Sequence, residues 1–213
     1  TSKRIIYDSR ILTTRNVAGA MAGMTKGVLC STSAVGYYGF RGDEKVTEAD
    51  DEPGDDFLAR LCADWEKEAS KAAAKGVRVA VTRFGIVLGK TGGALGQMIP
   101  AFKGFVGGPL GSGKQWFSWI HMEDLLNAIV FVLENEEITG PVNCCSPNPV
   151  RNKDLAKALG KALSRPAIIP TPGLALKLVM GEFGSVLLEG QRVIPAKLLE
   201  HDFVFRYPNI LDA

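Results

Sequence analysis

The run over residues 77–88, V-R-V-A-V-T-R-F-G-I-V-L, constrains this chain most. So dense a β-forming stretch matches a parallel strand buried on both faces, because crossover helices must cover both sides of such a sheet. What precedes it agrees. Residues 57–75 carry Leu58, Leu61, Cys62, Trp65 and Ala69 on one helical face, with charges opposite. Gly76 follows in the usual place for a helix C-cap. Before that helix, residues 28–31 read as a strand. Residues 3–24 place Ile5, Ile6, Ile11, Leu12, Val17, Met21 and Met24 at mostly helical spacing, stopped by Lys26-Gly27. Helix, strand, helix, strand is the βαβ alternation, so the first half is α/β with a parallel sheet.

The first strand ends in chemistry. Residues 29–39 read L-C-S-T-S-A-V-G-Y-Y-G. They deliver the hydroxyls of Ser31, Thr32 and Ser33, then a small-residue turn, then Tyr37 and Tyr38 between Gly36 and Gly39. Ligands bind beyond the carboxyl ends of parallel strands, which makes this stretch the candidate site. The plainer alternative is a polar strand end followed by two half-buried tyrosines. The glycine-rich residues 91–113 are not a phosphate loop, because no strand precedes an ordered GxGxxG. They read as a folded loop with a short helix around residues 95–105. A short strand over 119–121, a helix over 124–135, a strand over 142–145 and a turn over 147–150 follow. Asn152 is placed to N-cap a helix over 153–164. The tail, with apolar runs at 174–180, 187–195 and 203–205, reads as a small, mostly helical cap.

Composition excludes several function classes. The formal net charge is +2 and no long basic run occurs, so nucleic acid and polybasic membrane surfaces are not expected partners. No apolar stretch reaches the length of a transmembrane helix. The first residues, T-S-K-R-I-I-Y-D-S-R, read as polar helix rather than a secretion leader. The four cysteines include no CxxC pair, and the adjacent Cys144 and Cys145 cannot easily bridge each other. Reduced, buried thiols in a cytoplasmic protein are the expectation. His121 and His201 lack the partners of a zinc site. The expected partner is a small-molecule ligand, and the expected state a monomer or homodimer.

As a set, the motifs resemble a family. S-T-S-A-V-G-Y-Y-G, Thr47-Glu48, T-R-F-G-I-V-L-G at 82–89, G-S-G-K-Q-W-F-S-W-I-H-M-E-D-L at 111–125 and S-P-N-P-V-R-N at 146–152 are similar to extended short-chain dehydrogenases/reductases. These are NAD(P)-dependent sugar-nucleotide epimerases and dehydratases. The G-G-P-L-G-S-G, W-I-H and L-E-G-Q-R-V-I-P runs resemble an atypical epimerase-family, cell-division-inhibitor-like branch. The resemblance implies a Rossmann-like doubly wound parallel sheet from residues 1–90 and 120–147, with a substrate or cap domain from 91–119 and 148–213. It implies NAD or NADP as cofactor, NADP preferred, and hydride chemistry at a small hydroxyl or carbonyl compound, including a nucleotide-sugar-like one. The family also carries a first βαβ unit with a TGxxGxxG loop, and no such fingerprint occurs among these residues.

Roles follow from the resemblance residue by residue. Ser33 falls on the strand-end hydroxyl that meets the substrate oxygen, and a group that both donates and accepts suits alcohol/ketone chemistry. Ser31, Thr32, Arg83, Gly85 and Val87 fall on the cofactor side. Ser9 aligns with a helix asparagine near the site. His121 and Asp124 match the family's Q-x-R-D-F-[IV]-H-x-x-D run, His121 as a site residue and Asp124 as a structural carboxylate at a helix start.

The chain also departs from the pattern. No YxxxK exists. With Glu66 matched to the glutamate that often follows that lysine, the lysine position is Cys62 and the tyrosine position Leu58. Two repairs are open. Tyr37 or Tyr38 serves as the acid/base from the opposite wall, perturbed by Arg60 or Lys67; or the site binds without turnover and the protein is a cofactor-binding regulator. Tyr38 is preferred over Tyr37 as the pocket-lining phenol, Tyr37 is a substrate-binding candidate, and substrate contact is favoured over catalysis. The family's diphosphate-binding arginine is Phe117 here and its aspartate Ser118, which leaves Lys114 or Arg151 to hold some other anion. Trp116, Phe117 and Trp119 favour a flatter, more apolar ligand or a core cluster.

Overall fold

The computed structural model describes every residue except 1, 22, 25–26, 91, 175–177 and 179–186. In chain order the elements are α1 (Ser2–Ala20), β1 (Val28–Ala34), β2 (Lys45–Val46), α2 (Phe57–Ser70), β3 (Arg78–Phe84), β4 (Ile86–Gly89), α3 (Gly93–Lys103), β5 (Trp116–Phe117), β6 (Trp119–His121), α4 (Met122–Glu134), β7 (Gly140–Cys144), β8 (Val150–Arg151), α5 (Asn152–Leu163), β9 (Arg192–Val193) and α6 (Ala196–Glu200).

β1, β3 and β7 form a parallel sheet in that order. Side chains alternate across it. Val79 and Val81 of β3 pack with Leu29, Ala18, Ala69 and Ala72 under α1 and α2. Ala80 faces the other way, into a core with Val142, Leu125, Ala128 and Val132 under α4. β3 is therefore buried on both faces, as its composition predicts. The predicted run is nevertheless two strands. At Gly85 the chain bends: Gly85 N donates to Cys144 O at 2.9 Å, and Ile86 N then donates to Ser118 O at 2.8 Å. β4 leaves the central sheet and pairs with β6. A Cβ at Gly85 would lie 3.0 Å from both Ser118 O and Cys145 Cβ, so glycine permits this close approach.

Asp56 starts α2, accepting from Leu58 N at 2.7 Å and Ala59 N at 3.1 Å. The helix ends at Ser70, earlier than its apolar pattern implies. A separate 3-10 turn, Ala73–Lys75, completes the stretch, and Gly76 closes it at φ +82°. α1 lies along α2 through polar contacts: Tyr7 OH donates to Asp64 at 2.7 Å, Trp65 Nε1 to Thr14 Oγ1 at 2.7 Å, and Arg15 grips Glu68. α1 ends at Ala20, and the expected stop at Lys26 lies outside the described residues.

Asn152 is not the cap of α5. It is the first helical residue, and its Oδ1 accepts from Leu110 N at 2.8 Å, tying the glycine-rich loop to the helix. Most of the predicted apolar run 174–180 lies outside the described residues. Past it, β9 pairs with β2, while Leu198 of α6 and Phe203 pack in the same core as α4 and β7. Among the described residues, no helix is long and apolar enough to cross a membrane.

Candidate active site

A cleft of about 440 Å³ opens at the carboxyl ends of β1 and β3. Ser33, Ala34 and Gly36 line it from β1 and the turn beyond, and Phe84, Gly85 and Ile86 from β3 and β4. Asp56 and Leu58 enter from the start of α2. Trp116 and Phe117 of β5, with Gln115 and Asn152, form the far wall, closed by Glu189, Gly190 and Gln191. The tail is stitched to the strand ends. Gln191 Nε2 donates to Val35 O at 2.8 Å, and Ser118 Oγ donates to Gln191 O at 2.7 Å while accepting from Val193 N.

Behind the cleft lies a charged cluster. Ser33 and Arg83 are register partners on β1 and β3, so their side chains point to the same face, toward α2. Ser33 Oγ donates to Glu66 Oε1 at 2.6 Å. Arg83 grips the same carboxylate twice, Nε to Oε1 at 2.9 Å and Nη2 to Oε2 at 2.8 Å. The guanidinium is 3% exposed and its Nη1 has no partner among the described residues. It stacks on Tyr37, 3.5 Å from the ring centroid, and lies 4.8 Å from that of Tyr38. Burial opposes the Arg83 charge, but Glu66 and Tyr38 together outweigh it and raise the guanidinium's pKa. Cys62 sits beside Ser33, and burial pushes its thiol up.

A second cavity of about 380 Å³ adjoins the cleft, sharing Phe40, Gln115, Trp116, Glu189 and Gly190 with it. Lys114 and Arg151 line it. Arg151 lies 3.8 Å over the Trp116 ring and pairs with Asp43 at 2.6 Å; Arg192 lies 4.5 Å from the same ring. The Trp116 indole donates to Asp43 at 2.9 Å, and Arg151 and Trp116 together hold the Asp43 carboxyl below its ordinary pKa.

This architecture has known relatives. The family model described as the NAD dependent epimerase/dehydratase family matches residues 1–145. The chain belongs to that family. A second model, a domain of unknown function (DUF1731), matches residues 171–213. The chain is 48% identical over 210 residues to the chloroplastic epimerase family protein SDR39U1 homolog of Arabidopsis thaliana, covering 99% of this chain and 59% of that protein. It is 40% identical over 212 residues to the epimerase family protein Mb2239 of Mycobacterium bovis, covering 99% and 70%. Among solved structures, human epimerase family protein SDR39U1 (isoform 2), crystallised with NADPH, superposes with a TM-score of 0.90 at 34% identity, covering all of this chain and 73% of that one.

Within this epimerase family chain, the expected site residues divide into groups. Ser33 and Gly85 line the cleft, and Lys114 and Arg151 line the adjoining cavity. The two tyrosines lie behind the cleft wall. Tyr38 is fully buried, its phenol donating to Asn143 Oδ1 at 2.9 Å, and burial pushes its pKa up to about 12 against the pull of Arg83. Tyr37 donates to Asp51 O at 2.6 Å, and burial raises its pKa as well. Neither lines the cleft, because both rings pack into the cluster with Val35, Cys62 and Val193. Arg83 is committed to Glu66 rather than to the cleft surface. Val87 packs against the core under α4.

His121 is not in the cleft either. It N-caps α4, its Nδ1 accepting from Glu123 N at 3.2 Å, and it stacks on Tyr207 at 3.9 Å. Asp124 is structural, as expected, accepting from Arg206 N and Tyr207 N. Ser9 lies exposed on α1, its hydroxyl donating to Ile6 O. Ser31 is buried and Thr32 exposed on β1. Trp116 and Phe117 line the cleft, whereas Trp119 is wholly core.

Sequence reasoning missed three groups. Glu66 stood in the sequence as an alignment marker, yet it follows Leu58 and Cys62 by steps of four residues and so shares their helix face. Asp56, a carboxylate just before an amphipathic run, carries an N-cap signal. The Asp43–Trp116–Arg192 contacts join distant segments and left no local signal.

Proposed function

We propose that this chain forms the ligand-holding part of an NADPH-dependent oxidoreductase or epimerase acting at a hydroxyl or carbonyl of a small molecule. The observation that carries this reading is the cleft at the ends of β1 and β3, with Ser33 in its wall. The human relative's crystallisation with NADPH supports NADP(H) over NAD(H). The residues present fit the nicotinamide end of such a cofactor. Ala34, Gly36 and Gly85 put little or no side chain on the strand-end surface, which leaves room for a flat ring. Gly85, with Ser31 and the exposed Thr32, forms the cofactor side; family members carry the phosphate-binding loop in a preceding unit.

When bound, the cofactor supplies or accepts hydride. The residues of this chain bind and orient. Ser33 meets the reacting oxygen of the ligand. Trp116 and Phe117 cover its apolar face. Lys114 and Arg151 hold an anionic end, such as the phosphate of a nucleotide-sugar-like compound. Their setting supports this, because the two cations line a cavity continuous with the cleft.

A second reading, a cofactor-binding regulator without turnover, is favoured by one observation. Leu58, which the resemblance matches to the family's tyrosine, lines the cleft, and among the described residues no phenol does. A phenol buried at a pKa of about 12 is a poor proton donor or base at neutral pH. Thermal unfolding of the complete protein tests the shared part: NADPH raises the Tm, and failure of both NADPH and NADH to do so ends both readings. A screen of NADPH consumption against carbonyl compounds separates them. Turnover abolished by Ser33→Ala supports the enzyme, and cofactor binding without turnover supports the regulator.

A further inference from the structure

Ser33 has one proton, and it is spent. Its Oγ donates to Glu66 Oε1 at 2.6 Å, a short bond to a carboxylate of the charge-assisted kind. Arg83 prevents Glu66 from turning away, because it binds both oxygens and is itself buried against Tyr37. What Ser33 can offer elsewhere is lone pairs.

Across the cleft, Gln115 is in a similar position. Its Nε2 donates to Leu110 O at 3.1 Å and Leu187 O at 3.0 Å. Two carbonyl partners require the amide NH2 on that side, which fixes the flip and leaves Oε1 as the free group. That Oε1 is buried and has no donor among the described residues. An unmet buried acceptor is unfavourable until a donor reaches it. Among the described residues the cleft lining contains no lysine or arginine, and one of its two carboxylates, Asp56, is occupied in capping α2.

We propose that Glu66, held by Arg83, fixes Ser33 as a hydrogen-bond acceptor, and that Ser33 and Gln115 together make the cleft select the hydroxyl form of its ligand over the carbonyl form. Glu66 is a positioning residue, acting through Ser33. The group that enters the cleft is neutral and carries at least two hydroxyl donors, one for each acceptor. This deepens the proposed function and rests on its identification of the cleft as the ligand site. It reverses the simplest expectation for Ser33, that it donates to a carbonyl.

The test compares matched probes on the complete protein: trans-1,4-cyclohexanediol against 1,4-cyclohexanedione, and cyclohexanol against cyclohexanone. Dissociation constants are read by ligand-observed NMR with and without NADPH. The diol should bind about tenfold or more tightly than the dione, because a site that needs donors rejects the analogue lacking them. Glu66→Leu combined with Arg83→Met, which removes the acceptor and both buried charges together, should cut that preference to about threefold or less by freeing the Ser33 proton. Gln115→Met should cut the diol's advantage but not that of the mono-alcohol. Equal or tighter binding of the dione by the wild type overturns the proposal. So does a preference unchanged in both variants, or no binding by any hydroxylated probe. If the diol preference holds but NADPH leaves the Tm unmoved, the cofactor reading fails and the acceptor reading stands.

Discussion

Arg83 and Glu66 form a two-pronged ion pair between β3 and α2, with N–O distances of 2.9 and 2.8 Å. The arginine is 3% exposed and the carboxylate 12%. Removing one partner from such a pair leaves an uncompensated buried charge. Arg83→Met should therefore destabilise the protein by about 3–5 kcal/mol. Urea unfolding measures it, and a loss under 1 kcal/mol would show that the pair is solvated.

Tyr38 behaves as a structural residue in this arrangement. Its phenol meets Asn143 Oδ1, and Asn143 in turn donates from Nδ2 to Ile194 O and from its backbone N to Glu48. Tyr38→Phe should cost about 1–2 kcal/mol, the effect of stranding a buried acceptor. It should leave the NADPH-induced rise in Tm intact. A variant of normal stability that no longer responds to NADPH would return Tyr38 to the binding site.

Gly85 marks the bend between β3 and β4. A methyl group there would meet the Ser118 carbonyl and the Cys145 side chain, both at 3.0 Å and both fixed by packing. Gly85→Ala should lower stability by about 1–3 kcal/mol. Chemical denaturation together with the Tm shift on adding NADPH checks it, and an unaltered midpoint would mean that the strands can separate freely.

Glu68 binds α1 to α2. Hydrogen bonds from Arg15 and Lys71 hold its carboxyl down to about 2, from an ordinary value of 4.5. A carboxyl with a depressed folded pKa stabilises the fold above its unfolded value, and that contribution is lost as pH falls toward the folded one. The Tm should fall between pH 4.5 and 2. Arg15→Ala should destabilise near neutral pH and show less of that acid-dependent fall. Parallel Tm–pH curves for the two proteins would contradict the assignment.

The sequence by itself determined the architecture. The β-dense run at 77–88, the amphipathic helix before it and the strand at 28–31 gave an α/β parallel sheet, because period and burial are local properties that a chain writes into its residue order. The hydroxyls at the end of β1 were legible for the same reason: a strand's end is where ligands meet a parallel sheet. Direction was not legible. Whether Tyr38 faces the cleft or the core depends on Asn143, which lies 105 residues away. His121 caps α4 and packs its ring on Tyr207, which lies 86 residues further along the chain. Glu66 gained meaning only when α2 laid it against β1 and β3, where Arg83 could hold it and Ser33 could donate to it. Hydrogen-bond partners across a sheet are chosen by tertiary packing, and a residue list fixes which groups exist without fixing which way each one points. For the stretch that ends β1, the sequence identified the hydroxyl of Ser33, and only the packed structure showed that its proton is already taken.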